Sequence, residues 1–556
     1  MQSRMAFRFE WLKAGFAAVL FAACGGGSAG PASGLGSGGS SGLGSGGTAA
    51  ASAGASGTTQ GAVAGSLPSS AGASGAGVNA SAAGGPNLAG APGEAGGPAG
   101  GSPSSGGAGG NSGGRAGGGG GGGSAGPLPP SVTGLFPKPG ASGVCVDVPL
   151  TITFASTPTL GSKGTIAIYA TQNPNTVVDQ IDIAATSYSD TIGGQTKNLV
   201  RPVFIEGTSA VVYFHRHKLS ANTSYFVTIS AGTFVDAQKN AIGTVSGATA
   251  WSFSTGAVPA ASASMAVNRV GDGGFCTVQG AFDALPSNDT TSRTITIAVG
   301  NYYELLLLAN KKNLTLRGAD RAATIIRYPN NDKLNAGTSG RPMFFANGTT
   351  DLTIENLTLY NTTPQDGGQA EALRVQADRV TVRDVNLKSL QDTLLTGGSV
   401  YVVNSYLEGN VDFVWGTGPT YFERCEVKTV GRAGAIVQAR NGAGGYGYVF
   451  VDSKITSDTK VTGQVLARID VSAYPASNVA FLNCQMSAGI AAKGWTITPS
   501  GSSATDQLRF WEYQSTDEQG ALLNVSGRDP ASTQLSASQA ANLRDKATVL
   551  GGWNPQ

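Results

Sequence analysis

A strand pattern that recurs through the C-terminal half of the chain restricts its fold more than any other feature. Apolar residues stand two positions before and three positions after a central residue in each copy. The copies are DLTIENLTLYN (351–361), RVTVRDVNLKS (379–389), SVYVVNSYLEG (399–409), PTYFERCEVKT (419–429), GYVFVDSKITS (447–457) and NVAFLNCQMSA (478–488). Because they recur at intervals of about 20 to 30 residues without helical segments between them, we expect a right-handed parallel β-helix. A β-sandwich would not keep these residue classes in register.

Two aspartates occupy the same position in consecutive coils of this predicted β-helix. Asp392 and Asp412 each follow the central residue of a copy by eight positions. Coil stacking should therefore place their backbones about 5 Å apart. Two carboxylates this close cannot both ionise freely, which suits a general acid beside a nucleophile or base. The alternative is a pair of loop aspartates that cap turns, but the neighbouring Phe413 and Trp415 favour a functional site.

Histidine is absent from residues 258–556, which excludes Ser-His-Asp and Cys-His mechanisms and histidine-ligated zinc from that segment. Carboxylates must then carry any proton transfer. The histidines His215 and His217 lie upstream, in YFHRHKL, at alternate positions of a predicted strand. They could share a metal, but no cysteine or acid cluster adjoins them in the sequence. We therefore expect exposed strand histidines and no metal site.

The N-terminal residues 1–24 have the form of an export signal, in which basic residues precede a short apolar run that ends in FAAC. This ending resembles a bacterial lipoprotein signal, which implies lipidation of Cys24 and an outer-membrane anchor at the cell surface. A plain secretory signal with an incidental cysteine is the alternative. Residues 25–128 are almost only Gly, Ser, Ala and Pro, and we expect a disordered linker there. With 36 Lys and Arg against 34 Asp and Glu, nothing indicates a nucleic-acid partner.

Residues 129–257 show the short alternating strands of an antiparallel β-sandwich. These strands are LTITF (150–154), TIAIYA (165–170), AVVYFH (210–215), YFVTI (225–229) and AWSFST (250–255). The opening FPKPGASGVCVDVPLTITF and the closing WSFST resemble bacterial Ig-like domains. We therefore predict an all-β chain in which an Ig-like sandwich precedes the β-helix of residues 258–556.

Short motifs follow one another in a fixed order along this β-helix segment. They are GDGGFCTVQGAFDALP (271–286), GNYYE (300–304), QAEAL (369–373), QDTLL (391–395), GNVDFVWG (409–416), LARID (466–470) and LGGWNP (550–555). The series resembles the pectin methylesterases, or pectinesterases, which are carbohydrate esterases with a right-handed parallel β-helix. The resemblance implies hydrolysis of the methyl esters of polygalacturonate, with pectin or a related polysaccharide as partner and no metal or organic cofactor. We expect a monomer.

The resemblance also implies a role for each matching residue. Asp412 would attack the ester carbonyl as the nucleophile and form an acyl-enzyme. Asp392 would protonate the departing methanol and then act as base on the hydrolytic water. Gln391 and Gln369 would donate hydrogen bonds to the tetrahedral oxyanion. Arg468 would pair with Asp412 and keep it ionised.

The candidate substrate-binding residues are Trp415, Phe413 and Tyr302. Where the family has Pro-Trp after the arginine, this chain has Ile469 and Asp470, which replaces a sugar-stacking aromatic ring by a charge that would repel galacturonate. The same chemistry on another ester or an acyl thioester is therefore a second hypothesis, and a non-catalytic carbohydrate-binding surface protein is a third. A pectate lyase would need a cluster of calcium-binding acids, of which the sequence offers only the stacked pair.

Glu371 and four of the cysteines are further features of the sequence. Glu371 adds an acid where the family usually has a small apolar residue. Cys425 and Cys484 fall at one position of coils that are two apart, too far for a disulfide, so we expect small core residues. Whether Cys145 and Cys276 pair is left open by the sequence.

Overall fold

The computed structural model describes residues 128–271, 274–499 and 506–556. The predicted signal with Cys24 and the Gly/Ser/Ala/Pro-rich segment up to residue 127 lie outside these residues. Regular structure in the described residues is almost entirely β-strand, which confirms the predicted all-β class. No helix among them has the length and apolar character needed to cross a bilayer.

A β-sandwich forms the N-terminal part of the described chain. Its strands are β1 (Val132–Phe136), β2 (Ala141–Val144), β3 (Leu150–Phe154), β4 (Thr159–Leu160), β5 (Thr165–Ala170), β6 (Val177–Asp182), β7 (Tyr188–Ile192), β8 (Gln195–Leu199), β9 (Val203–Glu206), β10 (Ser209–Val212), β11 (Ser224–Ile229), β12 (Phe234–Val235), β13 (Ala241–Ile242) and β14 (Ser252–Thr255). The sheets β1-β3-β10-β9 and β2-β14-β11-β5-β6 enclose a core to which Leu150, Ile152 and Phe154 contribute from alternate positions of β3. The sandwich was predicted to be antiparallel, and this is wrong for one strand pair, because β2 pairs with β14 in parallel.

The two histidines lie beyond β10, which ends at Val212 rather than at residue 215. His217 adopts a left-handed conformation, with φ of +59°, and its side chain is 68% exposed. His215 is only partly exposed, because its Nδ1 lies 2.9 Å from Oδ1 of Asp179. The hydrogen bond to this carboxylate raises the pKa of His215. The prediction of exposed strand histidines was therefore wrong for the strand and wrong for His215.

A parallel β-helix follows the sandwich. Its strands are β15 (Ser264–Val267), β16 (Arg293–Ile297), β17 (Gly300–Tyr302), β18 (Leu306–Ala309), β19 (Lys312–Gly318), β20 (Thr324–Tyr328), β21 (Phe344–Glu355), β22 (Thr358–Asn361), β23 (Leu373–Arg383), β24 (Asn386–Lys388), β25 (Leu394–Thr396), β26 (Val400–Val403), β27 (Tyr406–Gly409), β28 (Val414–Gly416), β29 (Thr420–Glu423), β30 (Glu426–Thr429), β31 (Ala435–Ala439), β32 (Tyr448–Val451), β33 (Lys454–Ser457), β34 (Val465–Asp470), β35 (Asn478–Leu482), β36 (Gln485–Met486), β37 (Trp495–Thr498), β38 (Arg509–Tyr513) and β39 (Ser532–Gln534). Three short helices, α1 (Val278–Ala284), α2 (Ala537–Arg544) and α3 (Lys546–Val549), accompany them. One long sheet runs from β15 to β39, and a second, from β17 to β36, lies along another side of the coil.

The predicted register of the repeat is confirmed. The apolar residues before the central position form one ladder, Ile354, Val382, Val402, Phe422, Phe450 and Phe481. Those after it form another, Leu359, Leu387, Leu407, Val427, Ile455 and Met486. Both ladders are buried inside the coil, where the rings of Phe422 and Phe450 stack with centroids 4.3 Å apart. This packing holds successive coils in a single alignment.

The central residues themselves form the corner between two strands of each coil. All of them are in the left-handed region, with φ between +49° and +56°: Asn356, Asp384, Asn404, Arg424, Asp452 and Asn483. Asparagine and aspartate enter this conformation more readily than other non-glycine residues. The column of Asn and Asp in the sequence repeat therefore reflects backbone geometry.

Additional elements close the β-helix and connect it to the sandwich. Glu304, from the GNYYE motif, is buried and accepts hydrogen bonds from the N–H groups of Val278 and Gln279 at 2.9 Å, so it caps the start of α1. Burial raises the pKa of Glu304 to about 7. At the other end, α2 and α3 cover apolar residues on the outer face of the long sheet, such as Tyr401 and Val449.

A disulfide and a hairpin join the sandwich to the β-helix. Cys145 is bonded to Cys276 just before α1, whereas Cys425 and Cys484 are free and buried, as predicted. The β7–β8 hairpin of the sandwich contacts the loop that precedes β21. There Asn335 donates to the carbonyl of Asn198 at 2.8 Å and accepts from its N–H at 2.9 Å.

Candidate active site

Three carboxylates lie at equivalent positions of successive coils. Strands β23, β25 and β28 pair in register, so Glu371, Asp392 and Asp412 stand in one column two residues before them. The N–H of Asp392 donates to the carbonyl of Val411 at 3.1 Å, and the N–H of Asp412 donates to that of Ala435 at 2.7 Å. The predicted stacking of the two aspartates is thus confirmed, and Glu371 extends the column by one coil.

Both aspartates owe their direction to an unusual backbone conformation. Asp392 has φ of +68° and Asp412 has φ of +47°, in the left-handed region that aspartate tolerates better than most residues. This corner breaks the alternation of side chains along the chain. Phe413 and Val414, the next two residues, both point into the core of the coil, while Trp415 faces outward.

Asp412 is held by Arg468, which lies on β34. The Nε of Arg468 donates to Oδ1 of Asp412 at 2.7 Å, and its Nη2 contacts Oδ2. A guanidinium that spans both carboxylate oxygens favours the ionised form and fixes its orientation. The Asp412 side chain is 7% exposed and that of Arg468 is 48% exposed, so the pair joins a buried carboxylate to a cation at the surface. We call the surface around Asp392, Asp412 and Arg468 the groove.

Asp392 has a different environment, because it shares its cation with Glu371. The Nη2 of Arg341 lies 2.8 Å from Oδ2 of Asp392 and 2.9 Å from Oε1 of Glu371. The Nε of Arg341 also contacts both oxygens of Glu371, at 3.0 and 3.1 Å. Burial and then the Glu371 carboxylate raise the pKa of Asp392 well above its ordinary value, against the opposing effect of Arg341. The two aspartates therefore stand in unlike environments, as an acid and a nucleophile that work side by side would require.

Gln391 and Gln369 lie beside these acids on neighbouring coils. The carbonyl of Gln391 accepts from the N–H of Ala370 at 3.1 Å, which aligns the two motifs. Both glutamine side chains are half-buried, and neither amide bonds to another side chain or carbonyl of the described chain. Their N–H groups are therefore free to donate to a bound ligand.

A mixed aromatic and cationic surface borders the acids. Trp415 is in register with Gln438, and the Arg440 guanidinium that follows lies 4.6 Å from the centre of the indole ring. Arg440 also lies 5.5 Å from the ring centre of Tyr474. Trp415 is only 6% exposed, since both Arg341 and Arg440 approach it, so the predicted substrate platform is largely covered by guanidinium groups.

Two predicted substrate-binding residues do not reach the groove. Phe413 is fully buried in the coil core, and its ring and Cβ fill the space above Gly409. Tyr302 is also fully buried, with its hydroxyl donating to the carbonyl of Ala298 at 3.0 Å. Both predictions of substrate contact were wrong, because the two side chains stabilise the interior of the β-helix.

Ile469 and Asp470, which stand where the family has Pro-Trp, lie in different environments. Ile469 is 1% exposed and packs in the coil, whereas Asp470 is exposed and caps a turn by accepting from the N–H of Ser472 at 2.9 Å. The same turn returns the chain to the groove at Tyr474, whose N–H donates to the Asp470 carbonyl. An aromatic ring is thus present near the site, four residues after the position of the family tryptophan.

Sequence reasoning missed Arg341, Gln438, Arg440 and Tyr474. The run VQAR (437–440) was an available signal, because it ends a strand in register with the Trp415 motif. Arg341 lies in a loop, and its position depends on how that loop folds. No local sequence pattern therefore indicated that Arg341 would reach the site.

Two family models match this chain, in the order of its two domains. A family model described as Pectinesterase matches residues 264–542, and a model described as Bacterial Ig-like domain matches residues 127–255. Pectinesterase 31 of Arabidopsis thaliana is 29% identical over 261 residues, which cover 45% of this chain and 81% of that protein. Probable pectinesterase A of Aspergillus niger is 28% identical over 296 residues, which cover 50% and 84%. Among solved structures, a pectin methylesterase from carrot aligns with a TM-score of 0.48 at 24% identity, over 54% of this chain and 95% of that one.

Proposed function

The chain belongs to the pectinesterase family of carboxylic ester hydrolases, and on that premise we propose that it removes methyl esters from polygalacturonate with Asp412 as nucleophile and Asp392 as acid and base. The observation that carries this proposal is the pair of stacked aspartates with unlike partners. Asp412 is ion-paired with Arg468, while Asp392 shares Arg341 with a second carboxylate. One acid is thereby supported as an anion and the other as a proton donor.

In the first half of the reaction, a carboxylate oxygen of Asp412 attacks the ester carbonyl carbon. The tetrahedral intermediate collapses to an anhydride between Asp412 and the galacturonyl group as the bond to methoxide breaks. Asp392 gives its proton to the departing oxygen, so methanol leaves as a neutral molecule. Proton transfer of this kind contributes about 10²- to 10⁴-fold in rate. Because Arg341 occupies Oδ2 of Asp392, Oδ1 is the oxygen that carries the proton.

In the second half, water attacks the anhydride carbonyl and Asp392, now a carboxylate, takes the proton from that water. Asp412 departs as a carboxylate and returns to Arg468. The amide groups of Gln391 and Gln369 are suited to donate to the oxyanion in both halves. Each such donor is worth about 3–4 kcal/mol of barrier.

The groove has features that fit a uronate chain. Arg440, which lies between the rings of Trp415 and Tyr474, provides a cation that suits the carboxylate of a uronate. The exposed carboxylate of Asp470 favours a second candidate, in which the same residues hydrolyse a different ester or an acyl thioester. An uncharged acyl group would not be repelled by Asp470.

The test is methanol release from highly methylated polygalacturonate by the full chain, beside two aspartate variants. Asp412→Asn should lower the rate by at least about 10³-fold, because the nucleophile is lost. Asp384→Asn is the matched control, since Asp384 also has a left-handed backbone but lies at a coil corner away from the groove. It should leave the rate unchanged. If the folded wild type releases no methanol but hydrolyses other esters or thioesters, the second candidate is correct.

We propose further that the enzyme acts outside the cytoplasm as a monomer anchored through a lipid on Cys24. Residues 25–128 would then space the domains of residues 129–257 and 258–556 from the membrane. The support is the signal-like form of residues 1–24. Cys24→Ser should move the protein from the membrane fraction to the soluble one, and an unchanged distribution would refute the anchor.

A further inference from the structure

A buried arginine and glutamate lie directly behind Asp392. The side chain of Glu371 is fully buried, and that of Arg341 is 9% exposed. Arg341 makes three contacts of 2.9 to 3.1 Å with Glu371 but only one, of 2.8 Å, with Asp392. Its remaining terminal nitrogen, Nη1, contacts Asp332 at 3.2 Å. The guanidinium is thus committed mainly to Glu371.

The cations around Asp392 are unevenly shared among the acids. The charged groups that face it from the neighbouring coils are Glu371, Arg341, Asp412, Arg440 and Arg468. Arg468 is bound to Asp412, and Arg341 is bound mainly to Glu371. The Nε of Arg440 donates to the side-chain Oε1 of Gln438 at 2.9 Å, and the guanidinium lies over Trp415. Asp392 therefore has only a share of one cation, through the single contact of Arg341 Nη2 with its Oδ2, and a buried carboxylate whose charge is incompletely paired is unfavourable.

We propose that Glu371 is a positioning residue that keeps Asp392 protonated in the resting enzyme by engaging the Arg341 guanidinium. Arg341 in turn fixes Asp392 through Oδ2 and leaves Oδ1 to hold the transferable proton. This inference rests on the proposed function, because it explains how Asp392 is available as an acid at the start of the cycle. A carboxylate two coils from the nucleophile thus controls the protonation state of the acid that lies between them.

The sign of the pH effect follows from the charges. Burial and the Glu371 carboxylate raise the pKa of Asp392, and Arg341 lowers it. In Glu371→Gln the negative neighbour is lost and the cation remains, so the pKa of Asp392 falls. The acid form then disappears at a lower pH. The alkaline limb of the profile of kcat/KM against pH should move to lower pH by about one unit or more.

Two further variants separate this effect from structural damage. Glu512→Gln is the matched control, because Glu512 is an equally buried glutamate paired with an arginine, Arg528, at the other end of the β-helix. It should leave the alkaline limb in place. The double variant Arg341→Met/Glu371→Leu removes both charges. The alkaline limb should therefore return toward its wild-type position, while kcat stays below that of the wild type because Arg341 no longer fixes Asp392. A limb that stays shifted in the double variant would overturn the proposal.

A direct titration decides the inference without turnover. The ¹³C resonance of the Asp392 carboxyl, assigned from its absence in Asp392→Asn, is followed against pH in the wild type and in Glu371→Gln. A lower midpoint in Glu371→Gln supports the proposal, and an unchanged midpoint overturns it. Failure of the wild type to release methanol would count against the proposed function alone, since the titration still gives its own answer.

Discussion

Two buried arginine–glutamate pairs in the β-helix have nearly the same exposure and opposite surroundings. In the active-site column the side chains of Arg341 and Glu371 are 9% and 0% exposed. Near the C-terminal end those of Arg528 and Glu512 are 8% and 0% exposed. Arg528 spans Glu512 with Nε–Oε1 at 2.7 Å and Nη2–Oε2 at 3.3 Å. Its Nη1 donates to two neutral carbonyl groups, those of Ala491 and Ala492.

The two pairs differ in the contacts that each arginine makes beyond its glutamate partner. Arg528 serves a single acid, whose second oxygen also accepts from the hydroxyl of Ser515 at 3.0 Å. Charge and hydrogen bonds are complete there, so the pair stabilises the fold. Arg341 meets three carboxylates, and the surplus negative charge falls on Asp392. A buried ion pair is structural when it is balanced, and it tunes a neighbouring acid when it is not.

The largest expected effect breaks the balanced pair. Arg528→Met leaves Glu512 buried without a cation and should lower the free energy of unfolding by about 3–5 kcal/mol. The kcat of the folded fraction should not change, because the pair does not touch the acids of the groove. Denaturant unfolding and methanol release on the same preparation check both statements. A kcat reduced more than a few-fold would show that the two ends of the β-helix are coupled.

The converse is expected for Arg468, the cation of the nucleophile. Arg468→Lys keeps the charge but cannot make two parallel hydrogen bonds to Asp412, so kcat should fall by about 10- to 100-fold. The Arg468 side chain is 48% exposed, and the free energy of unfolding should change by no more than about 1 kcal/mol. Both quantities are measured on the same preparation of Arg468→Lys. A lower free energy of unfolding with an unchanged kcat would contradict the role of Arg468 as the cation of the nucleophile.

Much of the fold was predictable from the sequence because one coil repeats the same local rules. The corner residue needs a left-handed backbone, and the flanking apolar residues need the coil interior, so Asp384 and Asn404 mark the register of Asp392 and Asp412. This register is a local property, since each coil in that region has the same length. The stacking of Asp392 and Asp412 could therefore be predicted by counting residues from the corner of each coil.

The errors and omissions arise where that regularity ends. Phe413 was placed in the groove because it adjoins Asp412, but the left-handed corner turns both following residues inward. Arg341 reaches Asp392 from a loop 51 positions earlier, and its place depends on how residues 329–343 fold against the sandwich. The disulfide between Cys145 and Cys276 likewise depends on how two domains meet. Long-range placement of this kind leaves no periodic signal.

The smallest expected effect concerns the loop that carries Arg341. Asn335 in this loop exchanges two hydrogen bonds with Asn198 of the β7–β8 hairpin, and Lys197 donates to the Ser339 carbonyl at 2.9 Å. The sandwich thus supports the segment that positions Arg341. Because a typical hydrogen bond contributes about 1 kcal/mol, Asn335→Ala should lower kcat by about 3- to 10-fold through a less well-fixed guanidinium.

The matched control for Asn335→Ala is another contact of the same domain junction that is not on this loop. Arg269 lies 3.1 Å from Glu206, and Arg269→Met should weaken the junction without moving Arg341. We expect Arg269→Met to lower the melting temperature about as much as Asn335→Ala does, and to leave kcat unchanged. If both variants lower kcat equally, the sandwich acts through general stability. If only Asn335→Ala does so, the Ig-like domain helps to orient Asp392 through the loop that carries Arg341.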